Sequence, residues 1–164
     1  MRIQVQRILW PTDFSALALH GARYARALRE LFGAELHVIH VLAPPLSPEL
    51  SAVVAADIPI AYSDPGLVET CRQTLARTVA EQFPGLPIAS ELCFGHPWSG
   101  ICTYAEQHQI DLIIVATHGR SGLRRVLIGS TADRVVQHAP CPVLVVKNPE
   151  KDFVDNGTPA TSLV

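Results

Sequence analysis

Five short apolar runs, four of them followed by a segment of helical period, constrain this chain more than any other feature. The runs are Ile8-Leu9-Trp10, Leu36 to Leu42, Ile88 to Phe94, Asp111 to Ala116 and Pro142 to Lys147. Runs of about four to eight residues have strand length, and a mostly apolar run rich in β-branched residues suits a strand covered on both faces. Between them, apolar residues recur at helical spacing. Leu17, Leu19, Ala22, Tyr24, Ala25, Leu28, Leu31 and Phe32 lead to Gly33, a C-terminal stop. Val68, Cys71, Leu75, Val79 and Phe83 mark a helix over 67–83 that Pro84-Gly85 ends. Gly95-His96-Pro97 opens a third helix over about 98–108, and a fourth runs over 131–138 until Ala139-Pro140. Strand then helix, four times over, with a closing strand, predicts a parallel sheet with helices on both faces and right-handed crossovers.

Two segments break this rhythm. Residues 43–65 carry Pro44, Pro45, Pro48, Pro59 and Pro65, a density that predicts a long crossover loop, closed by Gly66, with at most a helical turn near 50–56. Residues 148–164 are polar and aperiodic and are expected to form a disordered tail beyond a single domain over 1–147.

Composition removes several function classes. With 48% hydrophobic and 17% charged residues the chain is of ordinary globular type. A formal net charge of −2 lacks the basic surplus that nucleic acid or an anionic membrane selects. No run approaches the roughly 18 consecutive apolar residues of a membrane span. The opening MRIQVQRILW is too polar for a secretory signal, so a cytoplasmic protein is expected. Cys71, Cys93, Cys102 and Cys141 form no C-x-x-C pair and read as buried, inert thiols. His37 and His40 are three apart on one strand and point to opposite faces, so they do not share a metal.

In an open parallel sheet ligands bind beyond the carboxyl ends of the strands, where the strand order reverses. Two segments carry suitable residues there. After the first strand comes Pro11-Thr12-Asp13-Phe14-Ser15, and after the fourth Thr117-His118-Gly119-Arg120-Ser121-Gly122, leading to Gly129-Ser130-Thr131. If the first and fourth strands are neighbours, both face one crevice. Gly119 and Gly122 allow close backbone approach to an anion, and Gly129-Ser130-Thr131 opens a helix whose first amides have no partner within it. Each residue also has a plainer reading. Ser130-x-x-Asp133 resembles a capping box, and Asp13 suits a cap for the helix starting near Ser15 as well as it suits ribose hydroxyls. His118 reads as a satisfied loop residue before it reads as a phosphate contact or proton shuttle, and Arg124 and Arg125 read as a solvated basic face before they read as phosphate contacts. Neither G-x-x-x-x-G-K-[ST] nor a G-x-G-x-x-G after the first strand is present.

These residues together resemble the universal stress protein family. The resemblance rests on Ile8-Leu9-Trp10-Pro11-Thr12-Asp13-Phe14-Ser15, on Gly33-Ala34-Glu35-Leu36-His37, on the run from Asp111 to Gly122, and on Gly129-Ser130 followed by His138-Ala139-Pro140-Cys141-Pro142-Val143-Leu144-Val145-Val146. It implies an open five-stranded sheet in the order 3-2-1-4-5, Rossmann-like and of the adenine nucleotide alpha hydrolase type. It also implies a homodimer paired through the strand at 142–147, with a protein partner of unknown identity. One branch of the family binds ATP and another does not. The ATP branch is marked by glycine, two residues, glycine, nine residues, then glycine with serine or threonine. Gly119 and Gly129-Ser130 match, while Ala116 stands where the first glycine belongs. Carried over, Pro11, Thr12 and Asp13 line the base and ribose, Val41 meets adenine through its backbone, and Val115 and Ala116 wall the ribose. Gly119, Gly129, Ser130 and Thr131 hold phosphates, with Arg120 and Gly122 beside them and Mg²⁺ held through the phosphates. The resemblance thus implies a nucleotide-dependent stress-response regulator with at most slow hydrolysis; the alternatives are a nucleotide-free interaction module and a slow ATP hydrolase.

Overall fold

The computed structural model describes residues 3–43, 65–117, 129–147 and 154. Five strands and four helices alternate along them: β1 (Arg7–Pro11), α1 (Ala16–Phe32), β2 (Glu35–Leu42), α2 (Pro65–Gln82), β3 (Ala89–Phe94), α3 (Pro97–Gln107), β4 (Leu112–Ala116), α4 (Ser130–His138) and β5 (Val143–Val146). The sheet is parallel throughout, in the order β3-β2-β1-β4-β5, as expected.

Strict alternation of side chains along each strand divides the core in two. Ile8, Trp10, Leu36, Val38 and Ile114 face α1 and α2, where Ala22, Ala25, Leu75 and Phe83 complete the first cluster. Leu9, Ile39, Val41, Ile113 and Val115 face α3 and α4, where Ile101, Ala105, Ala132 and Val135 complete the second. The central strands are therefore apolar on both sides, the reason their sequences do not alternate. Trp10 anchors the first layer, packing edge-on against Phe83 at 5.6 Å and donating its indole N–H to the Ala18 carbonyl at 3.2 Å.

The helix ends follow local chemistry. Ser15 caps α1, its Oγ accepting the Ala18 N–H at 3.2 Å. Gly33 takes φ 65°, which a residue without Cβ adopts freely, and turns the chain into β2. Pro97 occupies the first turn of α3. One boundary differs from expectation. Pro65 and Gly66 belong to α2 and do not close the preceding loop, because proline lacks only an N–H that the first helical turn leaves unpaired in any case. Residues 44–64 and the tail lie outside the described residues, apart from Val154. That residue packs against the first cluster, and its carbonyl accepts from Arg23 Nη2 at 2.6 Å.

His37 and His40 point to opposite sides of β2, as the strand period requires. His37 Nδ1 shares a hydrogen bond of 3.0 Å with the Tyr104 hydroxyl on α3, whereas His40 stacks on Phe14 at 4.4 Å. Among the described residues no group of three or more His, Cys, Asp or Glu could hold a metal. The four cysteines are free and half-buried, less enclosed than expected. Burial pushes the Cys93 and Cys141 thiols up to about 11, so they stay protonated at neutral pH.

Desolvation holds His37 below the ordinary imidazole value, with His108 and Arg7 acting in the same direction and Glu35 opposing them. Its Nε2 lies 3.5 Å from Glu35 Oε1, too poorly aligned for a hydrogen bond. A histidine whose folded pKa is depressed binds protons more readily when unfolded. Its stabilising contribution is therefore complete above about pH 6.5 and is lost as pH falls through the folded value. Denaturant unfolding of the parent between pH 5 and 7 is expected to show stability falling with acidification by at most about 1.4 kcal/mol per pH unit from this group. His37→Asn, which keeps a partner for Tyr104, flattens that slope; an unchanged slope contradicts the assignment.

Candidate functional site

β1 and β4 are neighbours, paired Ile8 to Leu112 and Leu9 to Ile113. The chain leaves β1 toward β2 and β3, then crosses back to place β4 and β5 on the other side. The strand order reverses between β1 and β4, and a cleft opens there at the carboxyl ends. It has a volume of about 360 Å³, within the range of small-ligand sites.

The structure gathers the residues singled out from the sequence. Pro11, Thr12, Asp13, Val41, Val115, Ala116, Gly129, Ser130 and Thr131 all line the cleft. Gly119, Arg120, Gly122, His118, Arg124 and Arg125 lie outside the described residues. The cleft spans three adjacent strands, β2, β1 and β4, about 10 Å from side to side. Val41 stands at one side; Ala116 and the start of α4 stand at the other.

The β1–α1 turn is tied down by its own polar groups. Thr12 N–H donates to the Ile39 carbonyl at 2.9 Å, and His40 Nδ1–H donates to the Thr12 carbonyl at 2.8 Å. Thr12 Oγ1 accepts the Phe14 N–H at 3.0 Å, and Asp13 Oδ1 accepts the Ser15 N–H at 3.0 Å. Phe14 sits at φ 64°, in the left-handed region, held there by the Thr12 hydroxyl and the His40 ring. Ser15, not Asp13, caps α1. Asp13 braces the approach to that cap and also faces the cleft.

At the other side the chain returns through Gly129, whose N–H donates to the Thr117 carbonyl. Gly129 is the N-cap of α4, with φ −67° and ψ 151°, and supplies no capping side chain. Ser130 is the first helical residue, so the capping box read at Ser130-x-x-Asp133 does not form. A side chain within the helix points away from the terminal amides that an N-cap reaches. The first i→i−4 bond of the helix runs from Asp133 N–H to the Gly129 carbonyl at 2.9 Å. The N–H groups of Ser130, Thr131 and Ala132 precede it at the positive pole of the helix, and these three residues line the end of the cleft. Gly129 therefore contributes by lacking a side chain, and its own amide is engaged.

Sequence reasoning did not single out Ala18, His40, Pro97 or Ile101 as cleft residues. Pro97 and Ile101 are the notable omissions. They are one helical turn apart at the start of α3, a spacing visible in the sequence, yet only the packing of α3 over β2 brings them to this end of the sheet.

Comparison with known proteins gives a consistent result. A family model described as the universal stress protein family matches residues 4–147. The universal stress protein MJ0531 of Methanocaldococcus jannaschii is 36% identical over 149 residues, covering 90% of this chain and 85% of that protein. The solved structure of MJ0577, from the same organism, is 27% identical with a TM-score of 0.74, covering 91% of this chain and 100% of that one. The universal stress protein from Archaeoglobus fulgidus, solved in complex with dAMP, superposes with a TM-score of 0.64 at 20% identity, covering 89% of this chain and 100% of that one.

Thr12→Val keeps the shape of the β1–α1 turn but removes the acceptor for Phe14 N–H. It is expected to destabilise the protein by about 1–3 kcal/mol in equilibrium unfolding. Unchanged stability contradicts the role given to this hydroxyl.

Proposed function

This chain belongs to the universal stress protein family, and from that premise we propose that its cleft binds an adenine nucleotide, with ATP as the ligand. The observation that carries the reading is the uncapped start of α4 at the end of the cleft. Ser130, Thr131 and Ala132 bring amide groups there, with two hydroxyls beside them, in a hollow that Val41, Pro97, Ile101 and Val115 line with apolar side chains and Thr12, Asp13, His40 and Thr117 with polar ones. Amides and hydroxyls of this kind suit phosphate oxygens. The apolar far side, with Val41, Pro97 and Ile101, suits a flat base. Asp13, on the β1–α1 turn between the two sides, and Ala116 beside α4 are assigned to the ribose. The dAMP found in the Archaeoglobus fulgidus protein supports the same ligand class.

The proposed contacts are Pro11, Thr12, Asp13 and Val41 on the base and ribose, Val115 and Ala116 as the ribose wall, and Ser130 and Thr131 on phosphate. Gly129 keeps the approach open, and Gly119, Arg120 and Gly122 remain part of the proposal from the sequence. With no carboxylate or imidazole cluster to hold a cation among the described residues, Mg²⁺ is assigned to the phosphates themselves. A ligand of roughly 30 heavy atoms at about −0.3 kcal/mol each reaches about −9 kcal/mol, a sub-micromolar dissociation constant. Binding of that strength serves a regulator that reports nucleotide through conformation or partner choice. Ala116 supports the rival reading of a nucleotide-free interaction module, because its methyl lines the cleft where the ATP branch has glycine.

Isothermal titration decides between them. The parent is expected to bind ATP with a dissociation constant near micromolar or below, and Ser130→Ala combined with Thr131→Val to weaken it by about tenfold or more. No heat and no competition at millimolar ATP contradicts the nucleotide reading.

The proposal extends to a homodimer paired through β5. This strand ends the sheet, and Val143, Leu144 and Val145 are only half-buried. Since Ile113 N–H and Thr117 N–H donate to the carbonyls of Pro142 and Val146, the main-chain groups of Val145 face the open edge. Val145→Pro removes an outward N–H and leaves the β4 ladder intact. Sedimentation is expected to show a dimer for the parent and a monomer for the variant; a monomeric parent contradicts the assembly.

A further inference from the structure

Gly100 lies inside α3, where glycine is less favourable than alanine. Its surroundings supply a reason for it. A Cβ at this position would lie 2.9 Å from Val41 Cγ1 and 3.2 Å from Cγ2, well inside contact distance. Val41 has little freedom to yield. It is β-branched and therefore stiff about χ1, it is 8% exposed, and its strand is paired on both sides, with Pro11 opposite Ile39 and Val41 opposite Cys93. Nor does α3 withdraw freely, because Ile101, Tyr104 and Ala105 are locked into the second core cluster. The space open to a displaced Val41 methyl is the cleft, which Val41 lines.

We propose that Gly100 is a positioning residue that fixes the depth of the cleft on its β2 side, holding Val41 withdrawn so that a ring system of purine size enters. The inference rests on the adenine nucleotide reading above. Gly100 is not a cleft residue and touches no ligand; it faces a separate surface hollow beside Cys93, Thr103 and Tyr104. It acts through Val41 alone.

The test is isothermal titration of ATP into the parent, Gly100→Ala, and Gly100→Ala combined with Val41→Ala. One misplaced methyl in an apolar pocket changes affinity by about tenfold or more. Gly100→Ala is expected to weaken ATP by about that factor. Val41→Ala alone sets the reference for the lost Val41 contact, and the double variant is expected to bind ATP to within about threefold of that reference. Parent-like binding by Gly100→Ala overturns the proposal. So does a double variant that binds much more weakly than Val41→Ala alone, since general damage to α3 is not repaired by removing two methyls. If Gly100→Ala folds too poorly to titrate, Val41→Ala alone carries the test with N6-benzyl-ATP, whose extra ring requires depth. Binding about tenfold tighter than to the parent supports the proposal, and equal binding overturns it. Absence of ATP binding by the parent is a separate failure, that of the nucleotide reading, and is seen before any variant is compared.

Discussion

Strand β1 is buried on both faces and hydrogen-bonded on both edges, and everything else in the molecule is arranged around that fact. Ile8, Leu9 and Trp10 are wholly buried, with α1 and α2 on one side and α3 and α4 on the other. Because the chain fills in β2 and β3 first and then returns to the opposite edge of β1, connections leave the centre of the sheet in two directions. Among the described residues no crossover covers the carboxyl ends of β1 and β4, and the gap between them is the cleft. The site is thus a consequence of topology before it is a matter of particular side chains.

The side chains then divide the cleft. Toward β2 it is apolar and shaped by packing: Val41 from the sheet, with Pro97 and Ile101 from α3. Toward β4 it is polar and shaped by what is missing. Gly129 engages its own amide on Thr117 and brings no capping oxygen, so among the described residues the next three amides of α4 meet no acceptor. The β1–α1 turn bridges the two regions and is fixed by Thr12, Asp13 and His40. An elongated ligand with a flat apolar end and an anionic end matches that division.

Much of this was legible in the sequence because it rests on periodicity. The apolar runs at 36–42 and 111–116 have no polar alternation, and both are buried strands. Gly33 and Ser15 mark the ends of α1 as their chemistry predicts. The errors occur where local patterns admit two registers. Pro65-Gly66 reads as a loop closing but begins a helix, and Ser130 reads as an N-cap although Gly129 holds that position. Contributions from packing between distant elements were not legible. Nothing in Pro97, Gly100 or Ile101 taken alone indicates that α3 lies over Val41, so one wall of the cleft and the device that fixes its depth emerge only in three dimensions.

The central claim is that unclaimed amides at the start of α4 grip a polyanion, and amide NMR reads those groups directly. With ¹⁵N-labelled protein, ATP is expected to shift the Ser130, Thr131 and Ala132 resonances strongly and to slow their hydrogen exchange. Adenosine, which lacks phosphate, is expected to move only signals on the Val41 and Asp13 side. If saturating ATP shifts other resonances and leaves these three unmoved, the phosphates lie elsewhere and the account is wrong.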